Sequence, residues 1–295
     1  METLALPLEI EDLRSDLLKL DSLPTLPEAA DYHRVIIQRQ GCSVREIKRA
    51  ILLDPPLSAT ILREASSHLA TGTEPPKSID DAVQALPEGA LRKLCSHQPK
   101  LSSFAPWNEL NVRSGILWQH AVGTGILAKA LHSRKRMLHS PGPDPYLAGL
   151  LHHIGWFALD AIRPALVRKA IRRFHQMGSW TLQDERDLLG HDHAEIGAML
   201  LEAWGIHPDL VAVVRHHHDP SKAGRLSGHA ALIQVASSIS PEPFPLEIAL
   251  DHVESSLPNR LRFHQGPHLL EEMRSRYGRY INQAMNGSKL MLSWL

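Results

Sequence analysis

The stretch YLAGLLHHIGWFALD, residues Tyr146 to Asp160, places two adjacent histidines in the middle of an apolar run that is typical of a buried helix. An unpaired imidazole in such a setting is costly, because a buried polar group needs a hydrogen-bond partner or a metal ion. His152 and His153 therefore hold a metal, mark a pocket that once held one, or are buried polar residues with partners. These three interpretations lead to different functions.

Helical signals extend on both sides of this stretch, and runs of alternating β-branched residues are missing. Ser43 and Glu46 have the spacing of a capping box, and Asp54 precedes Pro55 in the order typical of a helix start. The sequence therefore predicts an all-α, multi-helical fold. Beyond the N-terminal helices it predicts further helices near 112–133, 145–161, 163–176, 181–190, 192–205, 208–217 and 228–240.

Two looser segments divide the chain into three predicted units. SHQPKLSSFAPWNELN separates a smaller N-terminal helical lobe, residues 1–105, from a helical core, residues 106–240. The Pro-rich SPEPFPLE then introduces a C-terminal extension, residues 241–295, in which an amphipathic helix is predicted over 266–285.

Composition limits the classes of partner. The chain has 295 residues, 43% of them hydrophobic, so it can bury a substantial core. Lys and Arg number 32, as do Asp and Glu, so charge gives no reason to expect nucleic acid or an anionic membrane as partner. Two distant cysteines form no disulfide framework, the N-terminus lacks the order of a signal peptide, and no apolar stretch is long enough to span a bilayer. We expect a soluble cytoplasmic protein.

Six of the 19 histidines are candidate metal ligands, because they recur along four predicted helices. They are His120, His152, His153, His193, His217 and His218. His193 heads an apolar row that faces the core, and His152 and His153 differ by about 100° of helical rotation, so one cation placed between them could contact both. Neutral imidazole suits Zn, Fe, Ni and Mn in differing degree. No cofactor is expected, and a divalent ion of one of these metals is the alternative.

The ordered set of these motifs resembles the HDOD group, the HD-related output domain of bacterial signalling proteins within the HD superfamily. The similar stretches span residues 20–240 and are SLPTLPEAADYHRVI, VREIKRAILLDPPLSATILREASS, SIDDAVQAL, LWQHAVGTGILAKAL, LAGLLHHIG and GHDHAEIGAMLLEAWGIHPDLVAVVRHHHDP. The resemblance implies an HD-like helical core with a smaller N-terminal lobe packed on it.

The chain departs from the HD signature at two acidic positions. HD hydrolases have an aspartate where this chain has His153, and their later aspartate falls near Ala236 and Ser237. A neutral imidazole offers one lone pair and no charge, and a serine hydroxyl is a weak ligand for a divalent ion. The Gly-Tyr-Pro motif of the bis-nucleotide phosphodiesterase branch is also missing after HHHDP.

Two functions remain open. The first is a non-catalytic signal-transduction module with a degenerate metal pocket, which acts in trans on signalling proteins. The second is a metal-dependent phosphohydrolase with a His-rich site, in which a carboxylate from Glu185, Asp187 or Asp192 is the general base. A third interpretation of the histidines is a pocket in which they hydrogen-bond one another without any ion. The oligomeric state and the role of residues 241–295 cannot be read from the sequence.

Overall fold

The computed structural model describes residues 10–70, 72–100, 114–135, 141–178 and 180–240. These residues form fourteen α-helices and a short 3₁₀ segment. Within them, the β pairing is a single isolated bridge between Thr25 and Lys100. The all-α prediction is confirmed.

The first six helices precede residue 100. They are α1 (Ile10–Leu18), α2 (Pro27–Gln38), α3 (Val44–Leu52), α4 (Pro55–Ser67), α5 (Ile79–Ala85) and α6 (Glu88–Ser96). The capping box predicted for α3 is present: Ser43 Oγ accepts from the Glu46 backbone nitrogen at 3.4 Å, and the Glu46 carboxylate accepts from the Ser43 nitrogen at 2.9 Å. Asp54 caps α4 by accepting from the Leu57 nitrogen at 3.0 Å.

The remaining helices surround the histidines. They are α7 (Ser114–Lys135), α8 (Pro145–Leu151), α9 (Ile154–Ile162), α10 (Pro164–Met177), α11 (Leu182–Leu189), α12 (His193–Ala203), α13 (Pro208–His216) and α14 (Ser227–Ile239). The 3₁₀ segment Pro220–Leu226 joins the last two. Helix α7 packs against α8 and α14, and α12 packs against α9 and α13.

The single helix predicted over 145–161 is wrong, because the chain breaks there into α8 and α9. His152 ends α8, and His153, with φ −104° and ψ 18°, leaves the helical conformation before α9 begins. Apolar periodicity continues through the junction and therefore conceals it. The break places both histidines at helix ends rather than on one helix face.

Close backbone contact between α9 and α12 depends on two glycines. A Cβ atom added at Gly155 would lie 2.8 Å from the Gly197 backbone nitrogen and would overlap the carbonyl oxygen of His193. Real side chains do not tolerate this separation, so only glycine permits the approach. The contact sets the start of α9 beside the start of α12, where His153 and His193 lie.

Hydrogen bonds link the N-terminal helices to the core. The Tyr146 hydroxyl donates to the Leu52 carbonyl at 2.6 Å, and Trp204 Nε1 donates to the Leu20 carbonyl at 3.0 Å. Helix α1, within the predicted N-terminal lobe, packs against α9 and α12. The division of the chain at residues 105 and 240 stays a prediction.

Some predictions fall outside the described residues. These include the C-terminal amphipathic helix and most of both linking segments. Among the described helices, none combines the length and the apolar character that crossing a membrane requires. The cytoplasmic location stays a prediction.

Replacing Gly155 with alanine tests the α9–α12 contact. We expect Gly155→Ala to lower the free energy of unfolding by about 1–3 kcal/mol, because the added methyl group forces the two backbones apart. Urea denaturation followed by circular dichroism measures this change. Gly89→Ala in α6 is the matched control, since a Cβ there meets nothing within 4 Å. The control should leave stability unchanged or raise it by up to about 1 kcal/mol, and equal effects of the two substitutions would contradict the packing account.

Candidate metal centre

The fold brings all six candidate histidines into one buried cluster. His120 comes from the second turn of α7, His152 and His153 from the α8–α9 junction, and His193 from the first position of α12. His217 caps the end of α13, and His218 follows it. Five of the six are no more than 3% exposed, and His218 is partly buried.

The cluster consists of two groups that share one residue. His153 belongs to both, and in each group every member offers one ligand nitrogen within 4.8 Å of the others. The first group is His120, His152 and His153, and the second is His153, His193, His217 and His218. These are the groups of potential metal ligands found among the described residues.

Three of the histidines have their ring protons fixed by acceptors. Nδ1 of His152 lies 2.6 Å from the Gly149 carbonyl oxygen, and Nδ1 of His217 lies 2.7 Å from that of Val214. Nδ1 of His193 lies 2.8 Å from the Glu185 carboxylate. Each Nδ1 therefore donates its proton outward, and each Nε2 keeps a lone pair that points into the cluster. Metal-binding histidines are commonly oriented in this way.

His120, His152 and Ser237 satisfy one another. Nε2 of His120 lies 3.1 Å from Nε2 of His152 and 3.2 Å from the Ser237 hydroxyl oxygen. Since His152 Nε2 is an acceptor, His120 Nε2 carries the proton and donates to it. Ser237, which the HD resemblance sets near the position of a later aspartate, thus contacts the cluster.

The second group contains buried ring nitrogens that lack hydrogen-bond partners. They are both nitrogens of His153 and Nε2 of His217. A neutral imidazole always carries one N–H, so His153 leaves at least one donor and one lone pair unsatisfied, at a cost of about 1–3 kcal/mol for each group. A cation at this point would accept the lone pairs, so the second group fits a metal ion.

Burial keeps four of the six rings neutral. It lowers the pKa of His152 and of His153 well below the usual value, and the neighbouring imidazoles lower both further. Burial, and next the ring of His193, lower the pKa of His217 to about 3. The pKa of His218 falls for the same reasons, burial first and His217 second. These four rings therefore present lone pairs, and not positive charges, at neutral pH.

Glu185 is a buried carboxylate that is hydrogen-bonded to one of the candidate metal ligands. Its oxygens accept from the ring and the backbone nitrogen of His193, each at 2.8 Å, and from Trp180 Nε1 at 3.3 Å. Glu185 is 1% exposed. Glu185 therefore orients His193.

The other two carboxylates proposed as general bases are engaged elsewhere. Asp192 caps α12 by accepting from the Glu195 nitrogen at 2.9 Å, and it pairs with Arg186 at 2.6 Å. Asp187 accepts from the Gln183 side-chain amide at 2.8 Å. Neither carboxylate contacts the histidine cluster through these bonds.

Comparison with known families and proteins matches this architecture. The family model of the HDOD domain matches residues 23–220. An uncharacterized protein of Treponema pallidum (strain Nichols) is 23% identical over 214 residues, which are 68% of this chain and 38% of the relative. The chain thus spans well under half the length of that relative.

Solved structures with the same fold come from several bacteria. The MmoQ response regulator of Methylococcus capsulatus str. Bath aligns with a TM-score of 0.60 at 20% identity, over 90% of this chain and 98% of that one. A virulence factor of Campylobacter jejuni aligns at 0.65 and 16% identity, over 86% and 97%. An HDOD domain protein of unknown function from Geobacter sulfurreducens aligns at 0.52 and 20% identity, over 96% and 99%. At these identities the likeness establishes the fold.

Acid should destabilise the fold through the buried histidines. Their pKa values are lower in the folded chain than in the unfolded chain, so their contribution is complete above about pH 6.5 and is lost as the pH falls toward the folded-state pKa, about 3 for His217. We expect the free energy of unfolding to fall by about 1.4 kcal/mol per pH unit, below about pH 6, for each histidine kept neutral.

Urea denaturation in the presence of a chelator, repeated across this pH range, measures that slope. His217→Gln is the matched comparison, because it removes one buried imidazole and should reduce the slope by the share of one histidine. A free energy of unfolding that does not change with pH would contradict the burial of neutral rings.

Proposed function

The chain belongs to the HDOD domain family, and we propose that it is a signal-transduction module that acts through protein partners and hydrolyses no substrate. The observation that carries this proposal is the chemistry at two positions of the cluster. The resemblance to HD hydrolases sets an imidazole, His153, and a hydroxyl, Ser237, at or near the positions where those enzymes have aspartates. Ser237 lies 3.2 Å from His120 Nε2, which supports its assignment to the pocket.

Charge explains why the loss of both acids matters. Two-metal hydrolytic sites hold their ions about 3.5–4 Å apart. Two dications at 4 Å repel each other by about 16 kcal/mol at an effective dielectric constant of about 20, four times the value for unit charges. Bridging carboxylates offset this repulsion, whereas a neutral imidazole contributes no charge and a single lone pair. The six histidines alone supply no compensation for a second ion.

A module that hydrolyses no substrate transmits a signal by binding another protein. The proposal therefore includes a protein partner on a separate chain. The response regulator among the structural relatives supports a signalling context for the fold. The balance of 32 basic and 32 acidic residues favours a protein partner over nucleic acid or an anionic membrane.

A metal-dependent phosphohydrolase is the second candidate. The observation that favours it is the convergence of six histidines in two groups that share His153. Such a reaction also needs a general base within reach of the reacting water. Glu185 is engaged with His193 and Trp180, and Asp192 with Arg186 and its helix cap, so the first candidate is preferred.

Hydrolysis assays decide between the two candidates. The chain, purified without a His tag, is loaded in turn with Zn²⁺, Mn²⁺, Fe²⁺ and Mg²⁺ and incubated with nucleotides and cyclic dinucleotides. We expect turnover at the rate of the protein-free control, because the anionic ligands for a metal pair are missing. Metal-dependent turnover that His152→Ala abolishes would contradict the proposed function.

The double substitution His153→Asp and Ser237→Asp supplies a matched comparison. It returns both acids to the pocket, and we expect it to bind Mn²⁺ more tightly than the unsubstituted chain does, because carboxylate oxygens suit this ion. Equilibrium dialysis with Mn²⁺ measures the difference. Equal Mn²⁺ affinity in the two proteins would show that these positions do not control metal choice.

A further inference from the structure

We propose that the cluster is a closed site for one zinc ion, bound by His153, His193, His217 and His218. In the same proposal His120 and His152 bind no metal and are held by hydrogen bonds. The inference rests on the proposed function, because a shell closed by four protein ligands leaves no position for a substrate or a reacting water.

The spacing of the four donors suits a small tetrahedral ion. Each residue offers a ring nitrogen within 4.8 Å of the other three. Nε2 of His193 lies 3.1 Å from Nε2 of His218, within hydrogen-bond distance, and a bound ion would replace this hydrogen bond. Two nitrogens bound tetrahedrally at the usual Zn–N distance of about 2.0–2.1 Å are about 3.3 Å apart. The distance between these two nitrogens is thus close to the ligand–ligand distance in a tetrahedral zinc site.

The orientation of the rings also supports an ion between these four histidines. Nδ1 of His193 and of His217 is hydrogen-bonded to Glu185 and to the Val214 carbonyl, so Nε2 of each ring carries the lone pair that faces the cluster. Nε2 of His217 and both ring nitrogens of His153 are buried without a hydrogen-bond partner. An ion that accepts these lone pairs removes the cost of leaving them unpaired.

The other group lacks this need for an ion. His152 donates through Nδ1 to the Gly149 carbonyl and accepts through Nε2 from His120, which also contacts Ser237. A neutral imidazole has one lone pair, so His153 can bind an ion in only one of the two groups. With His153 included, one group offers four ring nitrogens and the other three, and the larger group prevails.

The donor set selects the class of metal. Imidazole nitrogen suits Zn²⁺ and the neighbouring late transition ions, whereas Mg²⁺, Ca²⁺ and Mn²⁺ prefer oxygen ligands. Closed, four-coordinate protein sites are typical of structural zinc. The ion would join the starts of α9 and α12 to the end of α13, three helix ends that no disulfide links, since both cysteines are free.

Zinc titration of the metal-free, untagged full chain against a chromophoric chelator tests the inference. We expect one zinc ion per chain and an increase in Tm on the order of 5 °C when free zinc is about 100 times Kd. His217→Gln and the less buried His218→Gln should each raise the Kd for zinc by at least about 100-fold, since each removes a ligand. Glu185→Gln should raise the Kd by about 10- to 100-fold, because Glu185 orients His193.

His152→Gln and Ser237→Ala are the matched controls, and we expect both to leave the zinc affinity unchanged. X-ray absorption at the zinc edge should give four nitrogens at about 2.0 Å. Circular dichroism of each metal-free variant verifies that it is folded, and His218→Gln keeps the test decisive if His217→Gln does not fold.

Three results would overturn the inference: no zinc bound, two zinc ions per chain, or one ion that is lost in His152→Gln and retained in His218→Gln. Hydrolysis is assayed on the same preparations. Failure to bind zinc without any hydrolysis overturns the inference and leaves the proposed function intact. Hydrolysis by a chain whose zinc depends on His217 and His218 overturns the proposed function while supporting the ligand assignment.

Discussion

Four imidazoles of one buried pocket are kept uncharged, and this constraint governs the rest of the site. Burial and the neighbouring imidazoles lower the pKa values of His152, His153, His217 and His218, and acceptors outside the cluster fix the protons of three of the rings. Gly149, Val214 and Glu185 each accept a hydrogen bond from one Nδ1, so the Nε2 lone pairs of these rings point toward the centre of the cluster. A pocket of this kind favours a cation but brings no negative charge to stabilise a second one.

The helix packing makes this arrangement geometrically accessible. Gly155 and Gly197 allow α9 and α12 to touch through their backbones, which brings His153 beside His193. The break between α8 and α9 turns His152 toward His120 of α7, while His153 faces the other group as well. Small residues and a helix break, rather than extra polar residues, therefore determine how the cluster divides.

Much of the fold could be predicted from local signals, because helix caps and apolar periodicity are encoded within a few residues. The capping box of Ser43 and the cap of Asp54 are examples. The histidine cluster was predicted from the ordered motifs. Two features could not be predicted. The break at His153 interrupts no apolar periodicity, and the bond between Glu185 and His193 depends on the turn at Gly190, whose φ is +82°, which folds α11 back onto the start of α12.

The pocket is thus best described as a buried histidine cluster in which His120 and His152 are hydrogen-bonded to each other, while the group of His153, His193, His217 and His218 is suited to an ion. A crystal structure of the zinc-loaded chain, with anomalous scattering collected at the zinc edge, tests this description most directly. The account predicts one anomalous peak, within bonding distance of His153, His193, His217 and His218. A pair of peaks joined by a carboxylate, or a single peak between His120 and His152, would contradict it.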